Sequence, residues 1–109
     1  MSRAKGNVAE EKAALFLIEN GYQIIERNFY SPFGEIDIIA SKEEVLHFVE
    51  VKSGEDYELA IQNITPRKLS RIEKTLQVYM KKNALHVDFM IDAVIVTATD
   101  TEILQNITI

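Results

Sequence analysis

The residues most able to do chemistry are Asp37, Glu50 and Lys52, which fall in two hydrophobic stretches, and Glu10, which falls in an amphipathic stretch before them. Residues 34–40 run Gly-Glu-Ile-Asp-Ile-Ile-Ala and residues 45–52 run Val-Leu-His-Phe-Val-Glu-Val-Lys. Both are rich in the β-branched and aromatic residues that strands favour. Ser41-Lys42-Glu43-Glu44 between them suits a hairpin connection. Strand side chains alternate, so Glu50 and Lys52 share a face with Leu46 and Phe48. The direction of Asp37 depends on register. A four-residue loop pairs it with Phe48, on the Glu50/Lys52 face and diagonal to Glu50 at about 7–8 Å between Cα atoms. A three-residue loop puts it on the opposite face. Two carboxylates and an amine on the inner part of a hairpin are costly to bury unless they pair or bind a metal. An Asp–Lys–Glu ion network at a strand end and a metal site both answer that cost.

The metal answer has a definite chemistry. Phosphodiester hydrolysis requires a positioned water, relief of charge on the phosphorus oxygens and help for the leaving group, and a divalent ion held by carboxylates supplies much of this. Mg²⁺ takes oxygen ligands, uses one or two protein carboxylates and keeps waters for substrate. Asp37 and Glu50 are candidate ligands, with the Val51 carbonyl as a neutral third. Lys52 would point to the same place, where it could hold the attacking water or stabilise developing negative charge. Glu10 could accept a hydrogen bond from a water on the ion.

Several elements must position these groups. Residues 7–20 are expected to form a helix with Asn7 as N-cap and Gly21 at the C′ position. Lys12 and Glu19 mark its outer face, so Glu10, Ala13, Ala14 and Leu17 face inward. An inward Glu10 calls for a partner, although Asn7-x-x-Glu10 also matches a capping box. Residues 22–29 read as a strand and Ser31-Pro32-Phe33-Gly34 as a turn. Ser53–Asn63 is a polar connection with one helical turn around Glu58–Gln62. Thr65-Pro66 opens a second long helix, ending near Asn83. Its core face is Leu69, Ile72, Leu76, Tyr79 and Met80, and Lys68, Arg71, Thr75 and Lys82 follow the opposite stripe. Residues 87–96 are expected as a long central strand, with Asp88 and Asp92 sharing a face with Met90, Val94 and Val96. Residues 97–101 are a turn and 102–109 a last strand. The order α-β-β-β-α-β-β gives an α/β fold, a mixed sheet of about five strands flanked by helices. The first three strands can meander antiparallel, and the strand after the second helix can enter parallel to its neighbour.

The 109 residues suit one domain with one core, and 47% hydrophobic content is ordinary for a globular chain. There is no Cys, hence no disulfide and no thiolate chemistry. No stretch is apolar enough for a membrane span or a signal peptide, which points to the cytoplasm. The net charge of −5 is unevenly spread. Residues 67–82 hold six basic residues and one acid, a net +5, so the remainder carries −10. A basic helix on an acidic body is compatible with binding a nucleic-acid backbone and equally with a solvated face. His47 falls on the strand face away from Glu50 and His86 precedes a strand; neither has metal-ligand spacing, and both read as non-catalytic. Phe29, Tyr30 and Phe33 could stack on unpaired bases, but packing is the preferred reading.

The pattern Asp-x(12)-Glu-x-Lys resembles the PD-(D/E)xK nuclease signature. The wider sequence looks like the small YraN-like branch of that superfamily, which is also similar to archaeal Holliday-junction resolvases. The supporting residues are Gly6-x-x-x-Glu10-x-x-Ala13, Gly21-Tyr22, Arg27-Asn28, Gly34-Glu35-Ile36-Asp37, Phe48-Val49-Glu50-Val51-Lys52 and Lys68. The resemblance implies a restriction-endonuclease-like core and Mg²⁺- or Mn²⁺-dependent cleavage or binding of nucleic acid, DNA foremost. It assigns metal ligation to Asp37 and Glu50, catalytic support to Lys52 and an outer-shell role to Glu10. Lys68 and Arg71 on the basic helix are the expected nucleic-acid contacts. The chain departs from the pattern at Gly54, where relatives usually carry an arginine, and at Met90-Ile91-Asp92, where they tend to have Arg-Phe before the aspartate. The alternatives are a nucleic-acid-binding module without catalysis, or a partner-binding module with a vestigial site. In the latter the final strand, ending Ile107-Thr108-Ile109, could pair with another chain or with its own copy as a homodimer.

Overall fold

The computed structural model describes residues 2–107, with side chains from Val8 onward. Helix α1 (Ser2–Glu19) precedes strands β1 (Gln23–Ser31), β2 (Gly34–Lys42) and β3 (Val45–Ser53). A short helix α2 (Tyr57–Ile61) and the long α3 (Pro66–Lys82) lead to β4 (Phe89–Val96) and β5 (Thr101–Leu104). The five strands form one sheet in the order β1-β2-β3-β4-β5. The first three meander antiparallel, β4 runs parallel to β3 after the helical crossover, and β5 returns antiparallel.

Each face of the sheet is covered by one long helix. Ala9, Ala13, Ala14 and Leu17 of α1 pack on Ile38, Ala40, Val49, Val94 and Val96. Ile72, Leu76 and Tyr79 of α3 pack on Phe29, Ile36, Ile39, Leu46, Phe48 and Ile91. The small residues of α1 let its backbone lie close to the sheet, which brings Glu10 down to the strand ends. No helix among the described residues is long and apolar enough to cross a membrane.

The helix ends follow local signals. Gly21 has φ +89, its N–H donates to the Ile18 carbonyl, and the Tyr22 N–H donates to Leu17, which together close α1 with a Schellman motif. Thr65 caps α3, its hydroxyl accepting from the Lys68 N–H at 3.2 Å, with Pro66 at the first helical position.

Four expectations are corrected. Helix α1 begins at Ser2, so Asn7 lies inside it and cannot be its N-cap. Thr75 is fully buried rather than on the outer stripe, because its hydroxyl pairs with that of Ser31 at 2.8 Å and ties the β1–β2 turn to α3. The last strand stops at Leu104; the Ile107 N–H folds back to the Ile91 carbonyl at 2.8 Å, and residues 108–109 of the expected pairing edge lie outside the described residues.

The fourth correction concerns the β2–β3 hairpin. Its loop is neither four nor three residues long. Lys42 pairs with Val45, leaving the two-residue turn Glu43-Glu44 with φ +52 and +68. Both values belong to the tight turn whose twist matches paired strands, but Asn-Gly is the sequence that adopts it cheaply. Replacing Glu43-Glu44 by Asn-Gly should therefore stabilise the protein by about 1 kcal/mol, measured by urea unfolding.

Candidate functional site

Asp37 sits where the sheet's regularity breaks. Antiparallel pairing of β2 with β3 runs from Lys42↔Val45 to Ile38↔Val49. Beyond that pair the Asp37 carboxylate takes over, its Oδ2 accepting from the Val51 N–H at 2.8 Å. Across β1, Asn28 has φ +56 and stands between the pairs Arg27↔Ile38 and Phe29↔Ile36, while the β1–β2 register itself shifts only between Ile24 and Glu26. Asparagine tolerates that conformation better than most residues. Ile36 packs under α3 while Ile38 packs under α1, although strict alternation would put both on one face. The carboxylate between them turns toward β3.

Glu50 projects to the α3 side with Phe48 and is 5% exposed. Its Oε1 lies 3.5 Å from Lys52 Nζ and 3.3 Å from Lys68 Nζ. Lys68 was expected on the outward stripe of α3; its long side chain instead reaches back over the helix to the strand end. Glu10 descends from α1 with its side chain 14% exposed, and its Oε1 accepts from Asn28 Nδ2 at 2.9 Å. The same amide reaches Glu35 Oε2 at 3.2 Å, and Arg27 Nη1 binds Glu11 Oε2 at 2.9 Å. Glu10 thus has a side-chain partner, and with Asn7 inside α1 no capping box forms.

These groups line one cleft of about 1040 Å³. Its acidic floor is Glu10, Glu35, Asp37 and Glu50, and its basic wall is Lys52 with Arg67, Lys68 and Arg71 of α3. All seven residues singled out in the sequence, Val51 included, reach this cleft. Glu35 and Arg67 were not singled out, although Glu35 stands in the Gly34–Asp37 run and Arg67 in the basic segment. Asn28 became identifiable as an organiser only through its backbone conformation.

The charges in the cleft perturb one another. Burial, and then the neighbouring Glu50 carboxylate, push the Asp37 carboxyl from 3.8 up to about 7; the Val51 hydrogen bond opposes this, and Glu10 and Glu35 add to it. Lys52 is pulled below the usual lysine range first by burial and then by the neighbouring Lys68 amine, against the opposing attraction of Glu50. For Lys68, burial pulls down, but its hydrogen bond with Lys52 and the Glu50 carboxylate outweigh this and the net direction is up. A carboxyl held protonated by burial and a neighbouring carboxylate is a setting that a divalent cation would relieve. Among the described residues no group of three or more His, Cys, Asp or Glu side chains is arranged to hold a metal ion. Asp37 and Glu50, with the Val51 carbonyl, are the oxygen groups here that could hold a divalent ion.

The departure at Gly54 has a local explanation, and the one at Met90-Ile91 has none in the structure. Gly54 lies under α2, where a Cβ would stand 3.3 Å from that of Ala60. Asp92 is fully buried in another pair: its Oδ2 lies 2.5 Å from His47 Nδ1 and its Oδ1 accepts from the Asn106 N–H. The His47 ring also meets Tyr22 edge-on at 4.9 Å between centroids. This polar cluster lies under α1, away from the cleft, and anchors the C-terminal segment to the sheet.

Residues 9–96 match the model of the uncharacterised protein family UPF0102. The chain is 70% identical over 109 residues to a UPF0102 protein of Sulfurimonas denitrificans, covering 100% of both chains. It is 59% identical over 109 residues to a UPF0102 protein of Wolinella succinogenes, again covering 100% of both. A UPF0102 protein of Helicobacter pylori is 53% identical over 106 residues, 97% of this chain and 92% of the other.

Proposed function

The chain belongs to the uncharacterised protein family UPF0102, and from that footing we propose that it is a Mg²⁺- or Mn²⁺-dependent endonuclease of the PD-(D/E)xK type that cleaves nucleic acid, DNA foremost. One observation carries the reading: Asp37, Glu50 and Lys52, from two adjacent strands, line a cleft walled by the cationic start of α3. That pairs an acidic floor able to take a divalent ion with a basic rim able to take phosphates.

The residues divide the work by position. Asp37 and Glu50 would hold the ion, with the Val51 carbonyl as a neutral donor. Once bound, the ion would polarise the scissile phosphate and neutralise charge building on it. Lys52 stands 3.5 Å from Glu50 and can hold the attacking water or stabilise charge on phosphorus oxygens. Its lowered pKa brings proton exchange closer to neutral pH. Glu10, fixed by Asn28, is placed to orient a water at the edge of the cleft. Arg67 and Arg71 are exposed and available to the sugar–phosphate backbone. Lys68 shields Glu50, and a metal or a phosphate would compete for one side of that contact.

The test is cleavage of labelled duplex, single-stranded and branched DNA with Mg²⁺ or Mn²⁺ against an EDTA control. Binding provides an independent prediction. Lys68→Ala and Arg71→Ala should each weaken binding at low salt and reduce the slope of log K against log salt by about one unit. Unchanged slopes in both variants would remove α3 from the interface.

A further inference from the structure

Building on the proposed nuclease reading, we infer that the cleft takes nucleic acid with an unpaired nucleotide, whose base stacks on Phe33. Phe33 sits in the β1–β2 turn, immediately before cleft residue Gly34. Of the three aromatics near this turn, Phe29 is buried in the core, Tyr30 is 64% and Phe33 47% exposed, and Phe33 is the one adjoining the cleft through Gly34 and facing Lys74 of α3. The phenyl ring thus stands about half in water beside a charged cleft.

The backbone that carries the ring is tied down. The Phe33 N–H donates to Ser31 Oγ at 3.0 Å, and that oxygen pairs with the buried Thr75 hydroxyl of α3 at 2.8 Å. Gly34, with φ +154, carries the chain out of the turn in a conformation that other residues rarely adopt. An anchored turn loses little backbone entropy when a base lands on its ring.

Charge leads to the same place. Arg67, Arg71 and Lys74 recur at spacings of four and three, one stripe of α3. That stripe begins in the cleft with Arg67 and Arg71, and it ends at Lys74, whose Nζ lies 5.8 Å from the Phe33 ring centroid. A cationic track ending at an exposed aromatic is the pairing used to hold single strands: the track follows phosphates while the ring takes bases without regard to sequence. In continuous duplex the bases are already stacked and Phe33 would have nothing to receive. The substrate class is therefore single-stranded or branched nucleic acid.

The test is fluorescence anisotropy of a labelled 15-mer of deoxythymidine and of a blunt duplex, without divalent metal, on the wild type and on Phe33→Ala, Phe33→Leu and Phe33→Trp. Phe33→Ala and Phe33→Leu should weaken single-strand binding about 5- to 100-fold and change duplex binding less than about 3-fold. Phe33→Trp should restore it. The chain has no Trp, so that variant carries a single indole whose fluorescence should be quenched by the single strand and not by the duplex. Thermal melts of each variant separate misfolding from loss of the platform. If both ligands weaken equally, or Phe33→Leu binds like the wild type, the stacking inference falls while the nuclease reading stands. If the wild type binds neither ligand here and cleaves no DNA in the separate assay with Mg²⁺ or Mn²⁺, the nuclease reading fails and this inference fails with it.

Discussion

Lys52→Ala is expected to lower metal-dependent DNA cleavage by about 10²–10⁴-fold while leaving the protein folded. The fold should survive because Glu50 keeps a second cation, Lys68 Nζ at 3.3 Å, when Lys52 is removed. The loss should fall on turnover rather than on binding, since the exposed Arg67 and Arg71 still face the backbone. Asp37→Ala should be at least as damaging, because it removes both a ligand and the acceptor for the Val51 N–H. Single-turnover assays at saturating protein separate the chemical step from affinity. Cleavage that persists at the wild-type rate in both variants would place the activity elsewhere or in a contaminant.

Asp37→Asn should do the opposite to stability. The folded Asp37 carboxyl titrates near 7, against 3.8 for the unconstrained group. The neutral form is shared by folded and unfolded chains below pH about 4, so nothing is lost there. From about pH 4 to about 7 the unfolded chain gives up this proton while the folded chain, where burial and Glu50 disfavour the charge, keeps it, so stability falls across that window and levels off above it. Asparagine keeps a carbonyl for Val51 and removes the charge. In EDTA at pH 8 the variant should be more stable by on the order of 2 kcal/mol, about 10 °C in Tm, and the gain should fade by pH 4. Mg²⁺ or Mn²⁺ should reverse the ranking: saturating ion raises the Tm of the wild type, by about 2.7 kcal/mol at a hundredfold excess over Kd, and leaves Asp37→Asn unmoved. A destabilised variant in EDTA would mean that Asp37 is ionised and satisfied in the resting protein.

Much of the scaffold was legible because its signals are local. Gly21 after an apolar stripe and Thr65-Pro66 before one each mark a helix end by backbone chemistry that needs no neighbour. The parallel entry of β4 followed from the crossover. The hairpin turn was missed because Glu43-Glu44 lacks the residues that favour two left-handed positions. That error shifted the register by two residues, an even number, so Asp37 stayed beside Glu50 for a reason the sequence did not supply. The switch of faces at Asp37 was not legible, since strict alternation would put Ile36 and Ile38 on one face. Thr75 was assigned outward by helical period, but a hydroxyl partner on Ser31 let it be buried. The same periodicity placed Lys68 outward and underestimated how far a four-carbon stem reaches. His47 and Asp92 read as unrelated because only the β3–β4 register brings them together.

The central claim is that Asp37 and Glu50 share one divalent ion, and Mn²⁺ titration followed by electron paramagnetic resonance tests it most directly. The signal of free aqueous Mn²⁺ should be lost to one ion per wild-type chain, and that binding should disappear in Asp37→Asn and in Glu50→Gln. It should also tighten as pH is raised through 7, where the Asp37 proton no longer competes. Equal Mn²⁺ uptake by the wild type and both variants, or none by the wild type at millimolar ion, would contradict the account.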